Sequence, residues 1–129
     1  MDPPAPVELP LPPSVNSIWR TVRVRSKARV TLSQQYRDWL DLAILTLRMR
    51  MAKVPATAYP VAVRVTILRG PGWRKGRDAD NMLKAISDSL VKAQRIVDDS
   101  EEYVTEFSIR FGPDANTACV LVSVEPVEV

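Results

Sequence analysis

Residues 59–93 read YPVAVRVTIL, then RGPGWRKGR, then DADNMLKAISDSLVKA. Three physical patterns follow one another in this stretch. Val61, Val63, Val65 and Ile67 alternate with Ala62, Arg64, Thr66 and Leu68. That period of two predicts a strand over 59–68. Residues 69–77 place Gly70 and Gly72 around Pro71, with Gly76 beyond, and set Arg69, Arg74, Lys75 and Arg77 about Trp73. Such a run breaks regular structure and makes a basic loop. From 79 to 93 the apolar positions Leu83, Ile86, Leu90 and Ala93 recur at helical spacing, which predicts a helix with one core face. Strand, basic loop and helix in succession call for an α/β layer arrangement.

The flanking sequence extends this pattern. Residues 33–52 predict a helix whose core face is Tyr36, Leu40, Ala43, Leu47 and Met51, with Thr31 and Gln34 spaced as a capping box. Residues 102–111 and 117–125 read as strands joined by Gly112-Pro113-Asp114-Ala115-Asn116, a strong turn. Residues 19–31 alternate only in part and read as a basic hairpin or a mobile loop. Six prolines fall within residues 1–13. Residues 1–8 are expected to be a loose Pro-rich tail, although Val7–Leu11 can still make a short strand, which its prolines confine to a sheet edge or a strand start. The expected fold is a single α/β (α+β) domain over 9–129, in two layers, with both helices covering a small mixed sheet.

The totals agree with one domain. The chain has 129 residues, 46% of them hydrophobic, enough for one core and too apolar for general disorder. Its apolar runs are short and broken by charge, so no membrane span is expected. The N-terminus lacks the pattern of a secretory signal. A single cysteine, Cys119, excludes an intramolecular disulfide and makes a reducing cytoplasm the expected compartment. Charge is sorted along the chain. Residues 1–77 hold 14 Lys/Arg and 4 Asp/Glu, a balance of +10; residues 78–129 hold 4 and 11, a balance of −7. The basic half suits a polyanion such as nucleic acid. An acidic half facing the same partner would need bound cations to offset its repulsion of phosphate.

The second helix carries the chemistry. Asp80, Lys84 and Asp88 are spaced i, i+4, i+8 on the side away from its core stripe. By themselves they are an ordinary solvated face, with a first-turn Asp favoured by the helix dipole. Three neighbours change that reading. Asp78 and Asp80 are two apart where the loop enters the helix, so in extended backbone both carboxylates point one way and can share a hard divalent cation. The basic loop beside them can hold a phosphate. Asp98 and Asp99 then follow at the next turn, and one of them can complete the set. Carboxylate-held Mg²⁺ is a common device for phosphodiester hydrolysis, and Lys84 can neutralise a phosphate oxygen or help the leaving group. With no histidine in the chain, imidazole acid–base chemistry is excluded. Cys119 sits in the apolar run 118–122 and reads as core. Neither a Walker-type phosphate loop nor zinc-ligand spacing is present, so no nucleotide cofactor is expected.

The residues Arg77-Asp78-Ala79-Asp80-Asn81-Met82-Leu83-Lys84-Ala85, then Asp88-Ser89-Leu90, then Asp98-Asp99 resemble the RusA family of Holliday-junction resolvases. Pro12-Pro13-Ser14-Val15-Asn16 resembles that family's opening, and the likeness runs from about Leu9 to about Val124. It implies a homodimeric, Mg²⁺-dependent endonuclease, with Mn²⁺ as an alternative ion, that nicks two opposing strands of a four-way DNA junction in recombination and repair. By position it makes Asp78, Asp80 and Asp99 the metal-binding catalytic carboxylates and Lys84 the catalytic or DNA-contacting lysine. Arg77 precedes the first aspartate, as in the family, while Asn81, Asn16 and Asp98 take supporting places. The Gly70–Trp73 loop matches no family motif.

Further DNA contacts are expected from Arg69, Arg74, Lys75 and Arg77 and from Arg20, Arg23, Arg25, Lys27 and Arg29, whose phosphate binding would weaken with salt. Trp73 can stack on a base or anchor its loop on the core, and the second is favoured. Trp19 and Trp39 are expected in the core or a dimer interface. Two alternatives stand beside junction resolution: a catalytically silent junction- or DNA-binding protein, and a nuclease for flaps or forks.

Overall fold

The computed structural model describes residues 5–13, 19–24, 27–73 and 79–127; for 19–24, 27–32, 79 and 80 only the backbone is described. Eight main elements follow in order: β1 (Val7–Pro10), β2 (Trp19–Val24), β3 (Lys27–Leu32), α1 (Gln34–Arg50), β4 (Val61–Leu68), α2 (Ala79–Lys92), β5 (Val104–Phe111) and β6 (Cys119–Pro126). A short 3-10 turn, Ala56–Ala58, precedes β4. The main sheet has the order β1-β6-β4-β5, while β2 and β3 form a separate hairpin. β4 and β5 run parallel, as a strand–helix–strand crossover through α2 demands. β6 returns antiparallel to β4, and β1 pairs antiparallel with β6. The sheet is therefore mixed, and with the two helices it makes a small α+β domain.

The alternation in β4 works as its spacing predicts. Val61, Val63, Val65 and Ile67 are essentially buried, whereas Arg64 is exposed. Register places Val63 opposite Val124 and Val65 opposite Val122, and Val122 opposite Val7. A layer of β-branched residues thus runs across the sheet beneath the helices. α2 contributes Met82, Ala85, Ile86, Leu90 and Ala93 to that core. Leu83, expected in the core stripe, packs on it only partly buried. Burying each large apolar side chain of this kind contributes about 1.5–3 kcal/mol. α1 adds Tyr36, Trp39, Leu40, Ala43 and Leu47. The indole N–H of Trp39 donates to the carbonyl of Pro10 at 2.9 Å, tying α1 to edge strand β1.

The capping expectation for α1 is corrected. Thr31 lies inside β3, paired with Arg20, and Ser33 is the N-cap: its hydroxyl accepts from the Tyr36 backbone N–H at 3.2 Å. The hairpin runs to Leu32, one residue beyond the stretch read as hairpin or loop, so Thr31 is held in a strand and the cap falls to Ser33. Of the two readings for residues 19–31, the hairpin is the one observed.

Among the described residues no helix lies on the other face of the sheet. Arg64 there pairs with Glu106 at 3.4 Å and Glu125 at 3.6 Å, and Arg110 donates to Thr66 at 3.2 Å. Among the described residues no helix is long and apolar enough to cross a membrane.

Candidate active site

The loop from β4 to α2 is pinned at its first half by the turn between β5 and β6. Arg69 O accepts from Ala115 N at 2.7 Å, and Pro71 O accepts from Ala118 N at 3.1 Å. Gly70 makes that approach feasible, since a Cβ there would overlap the carbonyl oxygen of Ala115. Gly72 adopts φ +99°, and Trp73 N closes a tight turn onto Gly70 O at 2.9 Å. The Trp73 ring meets Phe111 edge to face at 5.7 Å and packs against the core, so it anchors the loop. Arg69 stacks over the other side of this corner, 4.9 Å from the Phe111 centroid, with Asp114 at 4.0 Å. The Gly-Pro-Gly-Trp segment that matched no motif is thus the tether holding the loop before α2.

Beyond that tether lie the predicted residues Arg74, Lys75, Arg77 and Asp78, outside the described residues together with Asn16 and Arg25. Asp80 is in the first turn of α2, and its backbone alone is described. The same holds for Arg20, Arg23, Lys27 and Arg29 in the hairpin strands. Asn81 is partly buried and Lys84 is exposed on α2.

The second acidic segment is fixed from the other end of α2. Gln94 takes φ 58°, the left-handed geometry that terminates helices. Arg95 N then donates to Leu90 O at 3.0 Å. The Arg95 guanidinium reaches Ala93 O at 3.1 Å and Met51 O at 2.9 Å, and its carbonyl accepts from Val54 N at 3.2 Å. Ile96 is buried, and Val97 N donates to the Tyr59 hydroxyl at 2.9 Å. Tyr59 stands edge to face on Tyr103 at 5.3 Å. This clamp directs the chain into Asp98 and Asp99, both exposed.

Asp99 acts on Asp88. Burial holds the half-buried Asp88 carboxyl above the ordinary carboxylate range, the Asp99 charge raises it further, and Lys84 and Lys92 pull the other way. On the side facing α1, burial and then Asp88 raise the Tyr36 phenol. Of the predicted site residues, Asp99 and Lys84 each act electrostatically on Asp88. Sequence reasoning left Asp88 out of the site. Its signal was the i, i+4, i+8 series with Asp80 and Lys84, which fits a solvated face equally well. The helix rise puts Asp88 about 12 Å along α2 from Asp80, with Lys84 between them.

Among the described residues no three carboxylates stand together closely enough to hold a metal; Asp78 and the Asp80 side chain are not among those residues. The donor chemistry nonetheless fits a hard cation. The set is all oxygen, as Mg²⁺ prefers. The broad hollow lined by Arg64, Thr66, Arg110, Leu121 and Ser123 lies on the open face of the sheet, away from this chemistry.

No curated protein matches the chain. A family model described as endodeoxyribonuclease RusA matches residues 10–125, a span that takes in the β2–β3 hairpin, both helices, the Gly70–Trp73 tether and the Asp98–Asp99 turn. The chain belongs to the RusA family of endodeoxyribonucleases.

Proposed function

We propose that this endodeoxyribonuclease resolves four-way DNA junctions by divalent-metal-dependent phosphodiester hydrolysis, acting as a homodimer that places paired nicks. The observation that carries the reading is the match of residues 10–125 to this nuclease family, and the influence of both Asp99 and Lys84 on the Asp88 carboxyl of α2 supports it. Asp78, Asp80 and Asp99 would hold Mg²⁺ or Mn²⁺. When bound, the ion supplies charge neutralisation at the phosphate and lowers the pKa of water. Lys84 is an exposed cation one turn from Asp80 and meets a phosphate oxygen. Arg69, Arg74, Lys75 and Arg77 grip the backbone on the near side, and the basic hairpin with Arg20, Arg23, Arg25, Lys27 and Arg29 grips it further out. Asp98 and Asn81 support the two acidic segments.

The test is incubation with a mobile four-way junction, a linear duplex and a forked duplex, with Mg²⁺ or EDTA. Paired nicks on the junction, abolished by EDTA, are expected. Asp80→Asn should abolish cutting while junction binding is kept or strengthened, because it removes both a ligand and a repulsive charge. Undiminished cutting by Asp80→Asn would sink the assignment. Preferential cutting of the fork would move the activity to forks or flaps, and binding without cleavage across several metals would leave a DNA-binding protein.

A further inference from the structure

β5 is an eight-residue edge strand. Its inner side pairs with β4, and no strand among the described residues pairs with its outer side. Five of its residues, Thr105, Glu106, Phe107, Arg110 and Phe111, are exposed, with Phe107 at 38% and Phe111 at 52%. Long exposed edges with apolar residues invite pairing. We propose that the outer edge of β5 binds β5 of a second copy, antiparallel about a two-fold axis at Ser108. The proposal rests on the dimeric reading given above and specifies its surface.

The strand sequence, Val104-Thr-Glu-Phe-Ser-Ile-Arg-Phe111, is self-complementary in that register. Ser108 faces its own copy, so Glu106 of each chain meets Arg110 of the other, twice by symmetry. Phe107 meets Ile109, and Thr105 meets Phe111. The faces agree. Glu106 and Arg110 lie on the open face, where Glu106 reaches Arg64 and Arg110 reaches Thr66. Phe107 and Ile109 share the helix-covered side, opposite Val63 and Val65. A shift of two residues would set Glu106 against Ser108 and Val104 against Arg110, losing both ion pairs. Within one chain Glu106 and Arg110 are four strand residues apart, about 13 Å, too far to pair. If Glu106 turns to the other copy, Arg64 keeps Glu125.

This axis stands perpendicular to the sheet, so both helix layers lie on one side of a continuous eight-stranded sheet. Phe111, which carries the Trp73 tether of the nuclease loop, faces Thr105 of its mate. The two Phe111 positions are then about 20 Å apart along the shared strands. Two equivalent sites on one face suit a substrate with two-fold symmetry.

The test uses charge reversal and sedimentation equilibrium on the full chain. Glu106→Arg sets Arg against Arg across the axis, and Arg110→Glu sets Glu against Glu. Each variant alone is expected to dimerise at least about tenfold more weakly than wild type, since two attractive contacts become repulsive. An equimolar mixture of the two should recover wild-type affinity, because the mixed dimer restores both opposite-charge pairs. Loss of the Arg64–Glu106 pair within one chain cannot produce that rescue. A monomeric wild type, single variants that dimerise normally, or a mixture that stays weak would each overturn the proposal. Cleavage separates the two readings. Paired nicking by wild type with unaffected variant dimers rejects only the β5 interface, whereas a wild type that neither dimerises nor nicks rejects the function as well.

Discussion

Gly70→Ala tests whether the Gly-Pro-Gly-Trp segment is a tether for the nuclease loop. The added methyl would overlap the Ala115 carbonyl oxygen and come within 3.2 Å of its carbon and 3.3 Å of Ala118 N. All three are backbone atoms of the β5–β6 turn, so no side chain can rotate aside. The two segments must separate, at the expense of the Ala115–Arg69 and Ala118–Pro71 hydrogen bonds. Two such bonds are worth about 1–3 kcal/mol, the same range as overpacking a tight site. With an unfolding entropy of roughly 2.1 cal/mol/K per residue, that lowers Tm by about 4–11 °C for this chain length. Gly112→Ala is the control. Its methyl meets Leu68 Cδ2 at 2.8 Å and Thr66 Cγ2 at 2.9 Å, the ends of side chains that can turn. It should cost about 1 kcal/mol or less. Tm by calorimetry and junction nicking well below Tm are the readouts, and Gly70→Ala should lose nicking while still folded. A Gly70→Ala protein with wild-type Tm, or a Gly112→Ala protein destabilised as much, would refute the tether.

Three further outcomes are expected. Asp88→Asn should raise Tm in EDTA. The raised folded-state carboxyl means that ionisation above about pH 4 costs the fold stability as pH climbs through that carboxyl's folded-state titration; the wild type should therefore fall behind the variant over that window and gain on it again in acid. A variant that is less stable throughout would show that Asp88 is held by a favourable partner instead. Leu90→Ala opens a void in a fully buried position, and denaturant titration should show a loss of about 2–5 kcal/mol; a loss under 1 kcal/mol would mean the α2–sheet contact is loose. Trp39→Phe keeps an aromatic ring but loses the pyrrole half of the buried indole and with it the donor to Pro10 O, so urea unfolding should show at least about 0.5–1.5 kcal/mol lost. An unchanged midpoint would mean that β1 is held by Val7 and Leu9 alone.

The periodicities of β4, α1 and α2 were legible because burial on one face imposes them directly, and the strand-then-helix order forced the layered class. The Asp78, Asp80, Lys84 and Asp99 pattern is legible as a proposed site, since metal chemistry restricts residue types. The helix cap was misjudged because Thr31 and Ser33 are both good caps, and only the pairing of Thr31 with Arg20 decides between them. Whether β4 and β5 are neighbours, and in which register, is set by long-range packing that no local pattern encodes.

The same division holds at the site. The sequence by itself determined that acids follow a basic loop at a helix start, because residue order and helical periodicity place them there. Only the tertiary structure decided that the Asp99 charge reaches Asp88, because the left-handed Gln94 and the Arg95 clamp set the course of the chain after α2. Only it showed why Gly70 and Gly72 are there: one lets two loops touch backbone to backbone, and the other takes a φ that side chains resist. The Gly70–Ala115 and Arg95–Met51 contacts join residues more than forty positions apart, and spacing along the chain carries no record of them.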